Sequence, residues 1–165
     1  MSIRPALTLF PTHLAAFGRR LPCTIGKGGV RADKREGDGA TPSGRHEITG
    51  LLYRPDRVLP PAPWAIAIGP GDLWCDAPDH ADYNQLVRQP FPASAERLRR
   101  ADPLYDIVLL TDWNWPEAEP GRGSAIFLHR WRRPCYPTEG CIALSPENIR
   151  WLAARAEPGT ALIVP

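Results

Sequence analysis

Residues 124–148 read SAIFLHRWRRPCYPTEGCIALSPEN, and this stretch predicts the architecture of the chain. Ser124–Leu128 is a short aliphatic run ending at His129, the composition of a buried strand. A proline-bearing loop follows, and the chain returns through Thr138-Glu139-Gly140 to Cys141 and a second apolar run. Ser145-Pro146-Glu147 then supplies a helix start: a capping hydroxyl, a proline suited to the first helical position and an acid near the positive end of the helix dipole. Ile149, Leu152, Ala153 and Ala156 recur at i, i+3, i+4 and i+7, which is one apolar stripe, and Pro158-Gly159 stops the helix. Ala161–Val164 reads as a closing strand.

Further strands are expected upstream, at Leu7–Phe10, Cys23–Ile25, His46–Leu52, Trp64–Ile68 and Asp106–Leu110. Ser94 to Arg100 predicts a second, shorter helix. Gly26–Gly44 is a polar loop with six glycines that ends in Thr41-Pro42-Ser43-Gly44, a turn signal. It lacks both the third glycine of a dinucleotide loop and the Gly-Lys-[Ser/Thr] ending of a phosphate loop. The sum is a mainly β domain with one or two short helices packed on it.

Composition agrees. A chain of 165 residues is one domain's worth, so residues 1–165 are expected to form one unit. Its 43% hydrophobic content supplies a core, while 20 prolines exclude a helical bundle or coiled coil. The net charge is +2, and the 18 arginines and 2 lysines are interleaved with acids, so the basic stripe of a nucleic-acid-binding protein is missing. No apolar run approaches the ~20 residues of a membrane helix. The N-terminus, broken by Pro5 and Pro11, does not fit a secretory signal.

The candidate chemistry lies at His129 and Cys141. A thiol with an ordinary pKa near 8.5 is a poor nucleophile at pH 7 and needs a neighbouring base, which a strand-borne histidine supplies. Gly140 removes bulk beside the sulfur and lets backbone N–H groups face a developing oxyanion. Taken alone, Cys141 also fits an inert core thiol and His129 a satisfied core histidine; the Gly140-Cys141 pair favours the catalytic reading. Cys23 and Cys75 read as structural. Cys135 reads as a loop thiol, with a resolving role for Cys141 as the alternative. The spacing His129-x5-Cys135-x5-Cys141 does not match a structural zinc site, and no metal is expected.

Thr138-Glu139-Gly140-Cys141-Ile142, preceded by His129, resembles the active-site motif of L,D-transpeptidase (YkuD-type) catalytic domains. Gly39-Ala-Thr-Pro-Ser-Gly-Arg-His46 is similar to that family's Thr-Pro-x-Gly turn and following strand, and Leu73–Asn84 and Tyr105–Asn114 look like blocks of a small bacterial branch. The resemblance runs from about residue 20 to residue 152. It implies a YkuD-like β-sandwich that acts on peptidoglycan stem peptides without a metal or organic cofactor. Carried over by motif, Cys141 is the nucleophile, His129 the proton donor and acceptor, and the amides around Gly140 the oxyanion hole, with Thr138 in the substrate site. The implied reaction forms a thioester on Cys141 and ends in a 3→3 cross-link. The alternatives are an L,D-carboxypeptidase or amide hydrolase on the same fold, and a non-catalytic cell-wall-binding module. Papain-like and NlpC/P60-like peptidases place the cysteine before the histidine, the reverse of the order here.

The chain departs from the commoner motif: Glu139 stands where a histidine is usual, Ala143 where an arginine is usual, and the His–Cys separation is shorter. Arg130, Arg132 or Arg133 is expected to supply the missing positive charge for the stem carboxylate, since guanidinium binds carboxylates bidentately. The implied substrate places the protein in the cell envelope, with the cytoplasm as the alternative given the N-terminus.

Overall fold

The computed structural model describes residues 6–165; the reading of the N-terminus therefore lies outside the described residues at Met1–Pro5. The strands in chain order are β1 (Leu7–Leu9), β2 (His13–Ala16), β3 (Arg19–Thr24), β4 (Val30–Arg31), β5 (Thr41–Pro42), β6 (Gly44–Tyr53) and β7 (Ile66–Ala67). They continue with β8 (Asp72–Cys75), β9 (Leu86–Arg88), β10 (Ala95–Arg97), β11 (Ile107–Thr111), β12 (Phe127–Arg130), β13 (Ile142–Leu144) and β14 (Ala161–Val164). The helix α1 (Pro146–Ala153) lies between β13 and β14.

The main ladder runs β11-β12-β13-β3-β2-β1-β14-β6, and a further pairing of β6 with β11 closes it on itself. Two strands turn the corners. The first part of β6, Gly44–Glu47, pairs with β14, and from Ile48 onward β6 pairs with β11. Likewise β3 gives Arg19–Pro22 to β2 and its last residues, Cys23 and Thr24, to β13. Two sheets thus face each other and share their corner strands, a β-sandwich with joined edges. Alternating residues point inward: Leu7, Leu9, Leu14, Leu21, Leu51, Leu109, Leu128, Ile142 and Leu144 fill one core. Fully burying such a side chain stabilises the fold by about 1.5–3 kcal/mol.

The expected helix forms over Pro146–Ala153. Ser145 caps it, its Oγ accepting from the Asn148 amide at 3.2 Å, and Ile149, Leu152 and Ala153 pack inward. The second helix does not form. Ala95–Arg97 is instead strand β10, antiparallel to β8, in a small sheet ordered β10-β8-β9. A seven-residue helix repays little of its nucleation cost, whereas a strand alternation lets Leu98 bury completely. The strand expected at Ser124–Leu128 begins later, at Phe127, because Gly123 and Ala125 both take positive φ (+114° and +52°), so His129 lies inside the strand. Trp64–Ile68 shrinks to Ile66–Ala67, beside Pro61 and Pro63.

Candidate active site

Strands β12 and β13 are parallel, with Leu128 beside Ile142 and His129 beside Ala143. Leu128 and Ile142 face the main core and have no exposed surface. Side chains alternate along a strand, so Phe127 and His129 project from the opposite face, together with Ala143 and Cys141. That face meets a second apolar cluster of Leu52, Ile68, Trp74, Leu98, Tyr105, Val108 and Phe127, against which Cys141 packs. Beside it opens a cavity of about 480 Å³, lined by both His129 and Cys141.

His129 is buried, and its Nδ1 lies 2.7 Å from the Arg130 carbonyl oxygen. A carbonyl only accepts, so Nδ1 carries the proton and Nε2 keeps a lone pair. Burial holds the imidazole down to about 4, leaving it neutral at pH 7. The Cys141 thiol donates to the Ala125 carbonyl at 3.1 Å, and its sulfur accepts the Phe127 amide at 3.4 Å. Enclosure of the sulfur pushes the thiol up to about 12, against which the Phe127 hydrogen bond works. The resting site therefore holds a neutral thiol and a neutral imidazole, with no hydrogen bond directly between them.

Of the other residues expected at the site, Thr138 takes a structural hold on the segment that carries Cys141. Its hydroxyl donates to the Cys141 carbonyl at 2.6 Å and accepts the Gly140 amide at 3.1 Å. The Gly140 amide, expected to face an oxyanion, is thus engaged by a side chain in the resting structure. Glu139 lies at the surface and pairs with Lys27 at 2.8 Å. Among the three arginines, Arg132 lines the cavity, while Arg130 and Arg133 do not. Arg130 contributes its backbone to His129 and to Leu104, and Arg133 stacks on Tyr136 with its guanidinium 4.9 Å from the ring centre.

Four residues at the cavity, Tyr105, Glu96, Arg100 and Lys34, had no site role in the sequence reading. The Tyr105 ring stands 5.2 Å from that of His129, edge to face, and its hydroxyl donates to Glu96 at 2.6 Å. Desolvation raises the Glu96 carboxyl, partly offset by that hydrogen bond. Arg100 grips Asp102 through two nitrogens, at 2.9 and 2.8 Å, and lies over the Tyr105 ring. Lys34 is buried, bonded to the Arg35 carbonyl and to Asp38. Glu96 and Arg100 fall in a segment read as a short helix, and Lys34 in a stretch read as a polar loop, so no local signal marked them.

The remaining cysteines are free. Cys23 and Cys75 are buried, Cys23 pushed up to about 12 by desolvation, and Cys135 is exposed.

A family model described as the YkuD L,D-transpeptidase catalytic domain matches residues 16–164. No curated protein matches the chain. Among solved structures, an L,D-transpeptidase from Mycobacterium smegmatis is similar at 15% identity and a TM-score of 0.43, over 93% of this chain and 52% of that one. Mycobacterium tuberculosis L,D-transpeptidase 1 is similar at 14% identity and a TM-score of 0.45, over 96% of this chain and 58% of that one. The chain thus spans a little over half the length of either. With nearly all of its residues matched by the family model, the chain belongs to the YkuD family of L,D-transpeptidase catalytic domains.

Proposed function

We propose that this domain is a cysteine-dependent L,D-transpeptidase acting on peptidoglycan stem tetrapeptides. The observation that carries the reading is the projection of Cys141 and His129 from the same face of two adjacent parallel strands into one cavity, with the histidine tautomer set by the Arg130 carbonyl. Cys141 attacks the carbonyl carbon of the third residue of the stem. As the S–C bond forms, Nε2 of His129 takes the thiol proton, so the charged pair arises only during attack. With the Gly140 amide held by Thr138, the Cys141 amide stabilises the oxyanion. The C–N bond to the terminal D-alanine then breaks, and His129 returns the proton to the leaving amine. A side-chain amine of a second stem attacks the thioester, giving a 3→3 cross-link and restoring the thiol. Arg132 binds a carboxylate of the stem, in keeping with its position on the cavity wall. Such stems belong to the cell envelope, which fractionation of cells making the full gene product tests.

The function is tested by intact-mass measurement after incubation with a carbapenem. The protein gains one covalent adduct and Cys141→Ala gains none; an adduct on the alanine variant overturns the assignment of the nucleophile. With tetrapeptide muropeptides, cross-linked dimers are expected, and free tripeptides alone reassign the enzyme to hydrolysis.

A further inference from the structure

Three separate segments meet behind the nucleophile: residues 25–28, residues 39–41 and residues 138–141. The Thr41 side chain stands where they join. Thr41 is wholly buried; its hydroxyl accepts the Gly26 amide at 3.0 Å and donates to the Gly140 carbonyl at 2.8 Å. The accepting and donating roles of the one hydroxyl are thus both assigned, and its proton is directed at Gly140. Around it the backbones are in contact. A Cβ on Gly140 would stand 2.7 Å from the Ala40 oxygen, in a conformation (φ +144°) unfavourable to any L side chain. A Cβ on Gly26 would meet the Gly39 carbonyl and lie 2.9 Å from the Gly140 Cα. The Thr138 amide donates to Ile25 and the Lys27 amide to Thr138, lacing the same segments together.

The anchored carbonyl belongs to the peptide unit that joins Gly140 to Cys141. That unit is planar and trans, so its N–H points opposite to its C=O. Holding the Gly140 oxygen therefore fixes the direction of the Cys141 amide. The next carbonyl, that of Cys141 itself, is held by Thr138. The nucleophile's backbone is thus pinned on both sides, one pin coming from a residue 99 positions earlier in the chain.

We infer that Thr41 is a positioning residue for the reaction: its hydroxyl, set by the Gly26 amide, aims the Cys141 amide at the developing oxyanion. The inference rests on the assignment of Cys141 as nucleophile. The turn that carries Thr41 accordingly serves the active site as well as the fold. Misplacement by about 1 Å at a reacting centre costs about 10²-fold in rate, so an unpinned peptide acts on the chemical step rather than on substrate binding.

The test compares Thr41→Val, which keeps the branched shape and loses the hydroxyl, with Thr41→Ser, which keeps the hydroxyl. Each is measured for acyl-enzyme formation with a carbapenem, for kcat and KM of D-alanine release from a disaccharide-tetrapeptide, and for alkylation of Cys141 by iodoacetamide. Alkylation forms no oxyanion and reports the thiol alone. Thr41→Val is expected to lower acylation and kcat by about 10²-fold, with KM and alkylation changed by no more than a few-fold. Thr41→Ser is expected to return both rates to within a few-fold of wild type. If Thr41→Val does not fold, Thr41→Ala takes its place, since water entering the vacated space satisfies the Gly26 amide and the Gly140 carbonyl, and the same loss is expected. Wild-type acylation in Thr41→Val, a parallel loss of acylation and alkylation, or failure of Thr41→Ser overturns the inference while Cys141 stands. Failure of the wild-type protein to acylate removes the nucleophile assignment and Thr41 with it.

Discussion

Tyr105 meets His129 edge to face, ring centroids 5.2 Å apart, and turns its hydroxyl away to Glu96. The ring packs against the imidazole while its polar end is satisfied elsewhere, so the two parts of the side chain are separable by substitution. Tyr105→Phe keeps the wall and takes the hydroxyl donor from Glu96, leaving it the Arg100 ion pair at 3.6 Å. It is expected to cost about 1–3 kcal/mol in chemical denaturation, with acylation changed only a few-fold. Tyr105→Ala removes the wall, and acylation is expected to fall by about 10²-fold in the same carbapenem mass assay.

Replacing His129 by Gln removes the proton acceptor and keeps a polar side chain in the strand. Acylation by a stem peptide is expected to fall by about 10²–10⁴-fold, the usual range for losing a general base. Rapid-quench measurement of the thioester checks this; a loss of only a few-fold removes His129 from the proton-transfer step.

The enclosed thiol, raised to about 12, makes a pH prediction for the free enzyme. Below that value the thiolate fraction rises about tenfold per pH unit. Iodoacetamide labelling of Cys141, followed by peptide mass mapping, is therefore expected to climb through pH 7–10 without a plateau. A plateau beginning near neutrality shows a preformed thiolate–imidazolium pair instead.

His129 also links stability to acidity. Its imidazole titrates at about 4 when folded, below the 6.5 of an unperturbed histidine, so between these values the unfolded chain binds a proton that the native chain does not. Stability is then expected to decline as pH falls from 6.5 to 4, by about 3 kcal/mol in all. Urea titrations of the wild-type protein and His129→Gln across that window check the sign: the variant should lack this part of the slope.

Arg132 and Arg133 are adjacent in sequence but differ in setting: Arg132 lines the cavity and Arg133 lies on Tyr136. Arg132→Gln is expected to raise KM for a tetrapeptide donor by about tenfold, roughly one charge-assisted hydrogen bond. Arg133→Gln is expected to leave KM unchanged in the same steady-state assay.

Much of the site was legible because its parts are local in sequence. The alternation that buries Leu128 and Ile142 leaves His129 and Cys141 on the facing side, and the Ser145-Pro146 cap locates the helix that follows. What stayed hidden depended on pairings across the chain. Ala95–Arg97 has the composition of a helix and becomes a strand because β8 offers it an edge, which brings Glu96 to the cavity. Lys34 and Thr41 lie in a glycine-bearing polar loop; only the folded chain puts Lys34 on the cavity wall, and only the approach of residue 140 gives Thr41 its second purpose. The positive φ of Ala125 delays β12, a feature that a run of aliphatic residues does not reveal.

The closed ladder also separates chemistry from recognition. Strand β12 is flanked by β11 and β13, and β13 by β12 and β3, so neither can slide or peel without breaking two sets of hydrogen bonds. Yet most of the cavity wall comes from segments outside that ladder, around residues 34–37, 96–105 and 131–139. New selectivity can therefore arise by exchanging those segments, as a fixed tool accepts different jigs, without shifting the sulfur or the imidazole.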